Sequence, residues 1–461
     1  MADKPPPELP PGWTSTLSGL SETFSFHASP ESFITSRVAA LQRLHPELFS
    51  SRAIVRARIL NRDVAVVSSH AQIRHILEHS SSQDEKPAFV AAEAYSQFMG
   101  PFYPSPNLLM MDGAEHLRCR GKWTERMAKI ETGALVRKLA TEHFGALVGR
   151  DVSLYAELKR LCWKILLGLF LGLEETDAEF AEVERLQEEL LRGQFSVFPV
   201  TINVGFWHSP RKRGKDAKEK LKNLILERIR DQSRCPFDHG GDETAKEEYA
   251  NHLLMFSSSL AVKGLSSLLT AFLLNLFLFR EGRSRLWDQI MNLKGDERLR
   301  MLKSIGKETQ RVSPPIVGIM RRVTEDTVIP SPGNGVDILL PSGWDVWLYF
   351  VGGGRDPDAF GRDWARFVPG RYLDDTSGAG FAFSAGSKQC LGKGIMEDVV
   401  VAMGSALLDA GMGLEGEVDA RGVRGWLGWE VMEGVADWER DVKQLPTQHP
   451  AKPVIVRIVK R

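Results

Sequence analysis

Cysteine is scarce in this chain: there are four in 461 residues, at 119, 162, 235 and 390. They lie far apart and form neither a CxxC pair nor a zinc-type spacing. No disulfide framework or zinc module can be read from them, and a reducing compartment is the simpler expectation. Net charge is absent too. Lys plus Arg and Asp plus Glu both number 59, so the chain lacks the basic excess on which nucleic-acid binding draws. The first residues, Met1-Ala2-Asp3-Lys4 and then Pro5, Pro6 and Pro7, hold no apolar run of the kind a signal peptide or membrane anchor needs. The expected location is cytoplasmic or peripheral to a membrane. No internal repeat is evident, and strands do not alternate with helices as they do in a doubly wound dinucleotide fold.

With 43% of its residues hydrophobic, the chain can bury a substantial core. The expected architecture is mainly α with a smaller β region (α+β). It comprises a proline-rich lead over residues 1–12 and one large domain over 13–461. Arg56 to Ser69 is rich in β-branched residues around an Asn-Arg-Asp break, which predicts a hairpin. From Ala114 to about Arg234, apolar residues recur mainly at helical spacing. Gln194 to Trp207 interrupts that region. It is apolar, contains Pro199 and precedes the basic run Arg211 to Lys222. It reads as a loop leading into a solvated helix, or as a mobile lip over an apolar pocket that touches a membrane surface. Cys235 to Glu247 is polar and reads as an exposed loop.

One long apolar helix is expected from about Lys246 to Arg280. Its most apolar part, Gly264 to Phe279, is short for a membrane span and better suited to burial. Lys263 is out of place there. It snorkels, pairs with a carboxylate or meets an anionic group of a substrate. A helix over Asp296 to Val312, strands around Val323–Ile329, Asp337–Leu340 and Asp345–Phe350, a loop over Phe367–Lys388 and a helix over Gly394–Ala410 complete the expectation.

The most specific stretch is Phe383-Ser-Ala-Gly386-Ser-Lys388-Gln-Cys390-Leu-Gly392, with the spacing FxxGxxxCxG. It suits a thiolate that ligates a metal in a flat macrocycle. Small residues let the backbone come close and turn amide N–H groups toward sulfur. Those N–H groups, with the start of the following helix, favour thiolate over thiol. A cysteine alone is more often a buried structural residue; the spacing of the whole stretch points to the ligand.

In this stretch the chain resembles the cytochrome P-450 family, and the likeness runs along most of its length. Glu308-Thr-Gln-Arg311 matches the family's ExxR helix, and Phe367-Val-Pro369-Gly-Arg371 its FxPxR segment. The resemblance implies one b-type haem with Cys390 as the iron's proximal ligand, whose anionic sulfur assists O–O cleavage. It also implies a buried structural network of Glu308, Arg311 and Arg371. An i,i+3 carboxylate–arginine pair by itself is common on solvated helices; its place relative to the cysteine carries the likeness. Pro314-Pro315 followed by Arg321 resembles the strand with a haem-propionate arginine. Asp112-Gly113 through Arg120 resembles the entry to the third major helix, and Arg355 to Phe360 the loop before FxPxR. On that likeness His116 and Arg120 face the haem propionates and Arg321 is a propionate arginine, a task that a charge-assisted bond from arginine to carboxylate suits; Lys388 is placed to meet a haem carboxylate, and Phe383, Gly386 and Gly392 belong to the haem-binding loop. Without the resemblance, His116 reads as a helix-surface histidine.

One segment departs from the family. Members carry an acid–alcohol pair, [AG]Gx[DE]T, in the long central helix, where it serves proton delivery. The alignment places Ser257-Ser258-Ser259-Leu260-Ala261-Val262 there. Leu260 and Ala261 then replace the acid and the threonine, and neither relays a proton. Ser257 and Ser258 remain as candidate catalytic hydroxyls, and an offset register brings in Ser259 or Ser266. The Ser-Lys-Gln-Cys string also resembles the plant-type allene oxide synthases and hydroperoxide lyases. Three functions stay open. The favoured one is a monooxygenase that inserts oxygen from O2 into an apolar small molecule, with NADPH acting only indirectly through a reductase. The second is a member that isomerises or dehydrates a hydroperoxide, or otherwise uses peroxide. The third is a non-catalytic haem-binding protein. Phe98–Met111, Phe195–Phe206, Phe256–Gly264 and Pro315–Gly318 are the expected pocket walls, although each residue singly reads as core. Lys122, Lys388 and Lys393 are the expected basic face toward a reductase.

Overall fold

The structure, a computed structural model, describes residues 8–10, 19–44, 54–59, 62–80, 87–196, 203–204, 207–231, 243–330, 337–374, 380–432 and 436–461. The elements that frame the site are, in chain order, β1 (Val55–Ile59), β2 (Arg62–Val67), α1 (His70–His79), β3 (Phe89–Val90), α2 (Gly113–Met127), β4 (Asp151–Ser153), α3 (Leu154–Leu171), α4 (Phe180–Gln194), α5 (Pro210–Arg230), α6 (Glu243–Phe256), α7 (Ser259–Leu278), α8 (Gly295–Val312), β5 (Gly318–Val323), β6 (Asp345–Tyr349), α9 (Lys393–Asp409), β7 (Met412–Glu415) and β8 (Ile455–Lys460). Helices dominate, and the smaller β region is split between two main sheets, so the α+β expectation holds.

The hairpin forms with Val55 opposite Val66 and Ile59 opposite Arg62. It extends into a five-stranded sheet in the order β1-β2-β6-β5-β3, in which only the β2–β6 pair is parallel. Val64 to Val67 are all buried because this sheet is covered on both faces. A second sheet, β7-β8-β4, joins the end of the chain to the start of α3. The largest core runs through the helices and includes Trp123, Trp163, Trp287 and Trp426.

The long central helix expected over 246–280 is in fact two. α6 ends at Phe256 and α7 begins at Ser259. Serine hydroxyls compete for backbone groups and favour caps over helix interiors. Ser257 Oγ donates to Leu253 O at 2.8 Å. Ser258 takes extended angles, φ −69° and ψ 152°, and its Oγ accepts from Ala261 N at 3.2 Å as an N-cap. The stretch Glu243–Leu278 is long and apolar enough to cross a membrane, yet 78% of its most apolar window is buried inside the protein. Lys263 takes the carboxylate option: its Nζ lies 3.5 Å from Glu188 Oε2, and Lys159 lies 2.7 Å from the other oxygen of that carboxylate.

The strand expected over 323–329 also divides. Val323 closes β5, whereas Thr327–Ile329 pairs with Ile338–Leu340 in a separate two-stranded ribbon. Glu325 and Asp326 turn the chain between them, and Asp326 Oδ1 accepts the Ser342 amide at 2.8 Å. Part of the proline-rich lead is extended: Glu8 bridges Ile338 in parallel fashion. Residues 1–7 and 11–12 of that lead, most of the 197–206 lip and the loop carrying Cys235 lie outside the described residues.

His449 stacks on Tyr155, with ring centroids 4.5 Å apart and planes 6° from parallel. Burial first, then the nearby Lys443, Lys263 and Lys159, lower its pKa from 6.5 to about 4, against a raising bond to Thr447 O. Between those two pH values the unfolded chain binds a proton that the folded chain refuses. Stability is therefore lost as pH falls from about 6.5 toward 4. The expected result is that His449→Gln narrows the gap between denaturation midpoints at pH 7 and pH 5.

Candidate functional site

The cysteine loop is a tight, self-bonded turn between the sheet and α9. Cys390 N donates to Phe383 O at 2.8 Å, Gln389 N to Gly386 O at 3.1 Å and Ser384 N to Phe381 O at 2.8 Å. Gly386 sits at φ +68°, and a Cβ added there would stand 2.4 Å from Leu77 O in α1. Left-handed backbone and close approach both demand glycine. Gly386→Ala is expected to push the loop off α1 and to lower the haem-to-protein ratio of purified material, read from the Soret-to-280 nm absorbance. Cys390 is exposed, yet enough protein lies around its thiol for burial to dominate its electrostatics, a combination that fits a side chain opening into a recess. Burial pushes its pKa up, while the Gly392 amide and the Arg120 charge pull it down.

Basic groups converge beside it. His116 and Arg120 come from successive turns of α2, Arg321 from β5 and Lys388 from the cysteine loop. His116 is buried, and its pKa falls to about 4, first through burial and then through repulsion from Lys388, Arg120 and Arg321, against the attraction of Asp112. Burial also lowers the pKa of Arg120, Arg321 and Lys388. Asp112 is the acid that faces His116 among these groups. Lys388 Nζ lies 2.9 Å from Asp112 Oδ1 and donates to Met111 O. The same carboxylate accepts the Ala92 amide at 2.8 Å. Arg321 Nη1 donates to Met320 O at 2.9 Å, and Tyr95 Oη accepts the Met320 amide at 3.0 Å. His116 Nδ1 and Arg321 Nε are buried with no hydrogen-bond partner among the described residues.

Glu308, Arg311 and Arg371 form one network. Glu308 and Arg311 are wholly buried on the same face of α8, and Arg311 grips the carboxylate with two bonds, 2.8 and 2.7 Å long. Arg371 Nε lies 3.1 Å from both carboxylate oxygens. Arg311 also donates to the carbonyls of Gly354, Trp364 and Arg366, so the pair is saturated as a buried ion pair requires. Arg355, noted in the sequence only within a loop motif, has a comparable job: it donates to the carbonyls of Val312, Gly425 and Trp426.

On the central helices, Ser257 Oγ also accepts from Gln187 Nε2 at 3.3 Å, and Ser259 Oγ donates to Glu188 Oε1 at 2.9 Å. Leu260 and Ala261 lie in the first turn of α7, both partly open. One turn on, a Cβ added to Gly264 would meet nothing within 4 Å. Ser266 Oγ is turned back to Val262 O at 2.6 Å. Sequence reasoning missed Asp112 as the partner of Lys388 and Glu188 as the partner of Lys263 and Ser259. Neither pairing has a local spacing that could reveal it.

The family model described as Cytochrome P450 matches residues 266–400, a span that takes in Glu308, Arg311, Arg321, Arg371 and Cys390. Over 279 residues the chain is 26% identical to Cytochrome P450 26A1 of Xenopus laevis, which covers 53% of this chain and 55% of that protein. Over 99 residues it is 35% identical to the mitochondrial cholesterol side-chain cleavage enzyme of Oncorhynchus mykiss, covering 21% of this chain and 18% of that one. These matches support membership of the cytochrome P450 superfamily. The matched region spans about half the length of the first of those relatives. The P450 fold is likewise seen in solved structures. Retinoic acid-bound cyanobacterial CYP120A1 superposes with a TM-score of 0.71 at 17% identity, covering 100% of both chains. Cytochrome P450EX alpha (CYP152N1) with myristic acid superposes with a TM-score of 0.66 at 14% identity, again over 100% of both.

P450 membership implies haem, and the residues present fit it. A thiol that opens into a recess, flanked by glycine backbone, suits an axial ligand. Arg321 and Arg120 supply positive charge, and the neutral His116 ring lies beside them, an edge that suits the macrocycle's carboxylates.

Proposed function

We propose that this P450 is a haem-thiolate monooxygenase that inserts oxygen from O2 into an apolar small molecule, with electrons supplied from NADPH through a reductase. The observation that carries this reading is the Cys390 loop, with its thiol facing the recess and its edge lined by buried cations. Haem, when bound, supplies the redox chemistry at iron. The chain's own residues do the rest. Cys390 holds the metal as a thiolate, stabilised by the Gly392 amide and the Arg120 charge. Arg120 and Arg321, with His116 beside them, would hold the carboxylate edge of the haem. Lys388 serves that edge through Asp112, tying the cysteine loop to the start of α2. Glu308, Arg311 and Arg371 keep the frame behind the loop rigid. Two solved relatives hold retinoic acid and myristic acid, which supports an apolar substrate between the central helices and the Phe98–Met111 segment. The lip over Phe195–Trp207 is the proposed point of peripheral membrane contact.

A second reading has its own support. Leu260 and Ala261 offer no acid or alcohol, and the nearby serine hydroxyls are engaged with Leu253 O, the Ala261 amide and Glu188. A member that takes a hydroperoxide directly needs no proton relay from dioxygen. The deciding experiment supplies labelled O2 with NADPH and a reductase, and separately a lipid hydroperoxide without reductant. Label in the product supports the monooxygenase. Fast hydroperoxide consumption with no labelled product replaces it with the second reading, and ligand binding with neither turnover leaves a haem-binding protein.

A further inference from the structure

Outside the cysteine loop, three side chains with metal-ligand chemistry meet where α2 touches α6. They are Cys119, Glu248 and His252, and their ligating atoms all lie within 4.8 Å of one another. Cys119 and His252 are buried, and Glu248 is partly so. Cys119 Sγ stands 3.4 Å from Glu248 Oε1 and 3.5 Å from His252 Nε2. A tetrahedral zinc ion with a Zn–S bond of about 2.3 Å and Zn–N or Zn–O bonds of about 2.0 Å holds such ligand pairs about 3.5 Å apart. The separations therefore match those around an ion, with little rearrangement required of the three groups.

The histidine is also oriented as a ligand. Its Nδ1 lies 2.7 Å from Glu248 O, one helical turn back in α6, which places the ring proton on Nδ1 and the lone pair on Nε2 toward the sulfur. A backbone carbonyl on the far nitrogen is the usual support of a metal-bound histidine. Trp123 at 5.2 Å and Phe256 at 6.0 Å close the ring in with apolar surface. One contact opposes the ion: the Leu108 amide donates to Nε2 at 3.1 Å. A cation must turn that amide aside, which sets its affinity below that of a four-ligand structural site.

We propose that Cys119, Glu248 and His252 bind a zinc ion, with water in the fourth position. The Cys119 sulfur forms the S–Zn bond and its proton passes to solvent; nothing is oxidised or reduced. The ion then staples α2, the helix that carries His116 and Arg120, to the first half of the central helix pair. Residue spacing could not reveal this site, because Cys119 stands 129 positions from Glu248.

The test uses the full-length, untagged, haem-loaded protein, grown with added zinc, dialysed into metal-free buffer and analysed for zinc and iron by plasma mass spectrometry. The expected result is about one zinc per chain beside the haem iron, falling to background in Cys119→Ser and His252→Gln and to an intermediate level in Glu248→Gln. Because a core variant such as His252→Gln risks poor folding, the wild-type thermal midpoint is read as well. Adding a zinc chelator should lower it by several degrees and leave Cys119→Ser unmoved. Wild-type protein that holds no zinc, even after incubation with the free ion, overturns the proposal. Equal zinc in wild type and Cys119→Ser overturns it too. Iron content reports separately on the haem site.

Discussion

Cys390→Ser should give a chain whose reduced, carbon-monoxide-bound spectrum lacks the strongly red-shifted Soret band of a thiolate ligand, and whose turnover falls to background with either oxidant. The substitution is nearly isosteric and leaves intact the backbone bonds of the loop, which run through the Cys390, Gln389 and Ser384 amides. What changes is the donor. A serine hydroxyl has a far higher pKa than a thiol and stays protonated, so the anionic push on the metal is lost. Thermal stability of the haem-free chain serves as the control and should change little. A serine variant that keeps the parent's spectrum and activity would remove the basis of the proposed function.

Glu308→Gln is expected to have the largest effect on folding. Glu308 and Arg311 are wholly buried, and Arg371 is mostly so. Removing one partner of a buried ion pair typically costs about 3–5 kcal/mol, because the remaining charge is left desolvated and unpaired. Native domains are stable by only about 5–15 kcal/mol, so the variant should yield little soluble, haem-loaded protein. What is recovered should show a sharply lower urea midpoint. Arg371→Lys should be milder, since Arg371 reaches solvent, with 19% of its side chain exposed, and Lys can still approach the carboxylate. Equal midpoints for wild type and Glu308→Gln would contradict the network's structural role.

The features legible in the sequence are those whose partners lie close along the chain. The cysteine loop bonds to itself within Phe381–Cys390, so its spacing carries its geometry. Glu308 and Arg311 meet because three residues separate them on one helix. The 55–67 hairpin pairs across a short turn. Features set by distant contacts were not legible. Lys388 finds Asp112 across the fold, and Lys263 finds Glu188 on a different helix. The split at Ser257–Ser258 has a local cause, serine capping, but the apolar stretches on either side, Leu253–Phe256 and Leu260–Val262, outweigh it in any reading by periodicity. The division of the 323–329 strand likewise follows from Glu325 and Asp326, a turn that β-rich neighbours conceal.

The interruption between α6 and α7 has a mechanical consequence. A continuous helix resists bending because its hydrogen-bond ladder runs unbroken; here Ser258, in extended conformation, ends one ladder and starts the next. The junction is thus a hinge, and α6 and α7 are separate levers, each anchored elsewhere in the core. Bending at the junction can tilt the start of α7 while Leu268 to Phe277 stay clamped in the main core. Amide exchange around residues 257–261 should accordingly run faster than at Leu268 to Phe277, and should slow when a ligand fills the recess.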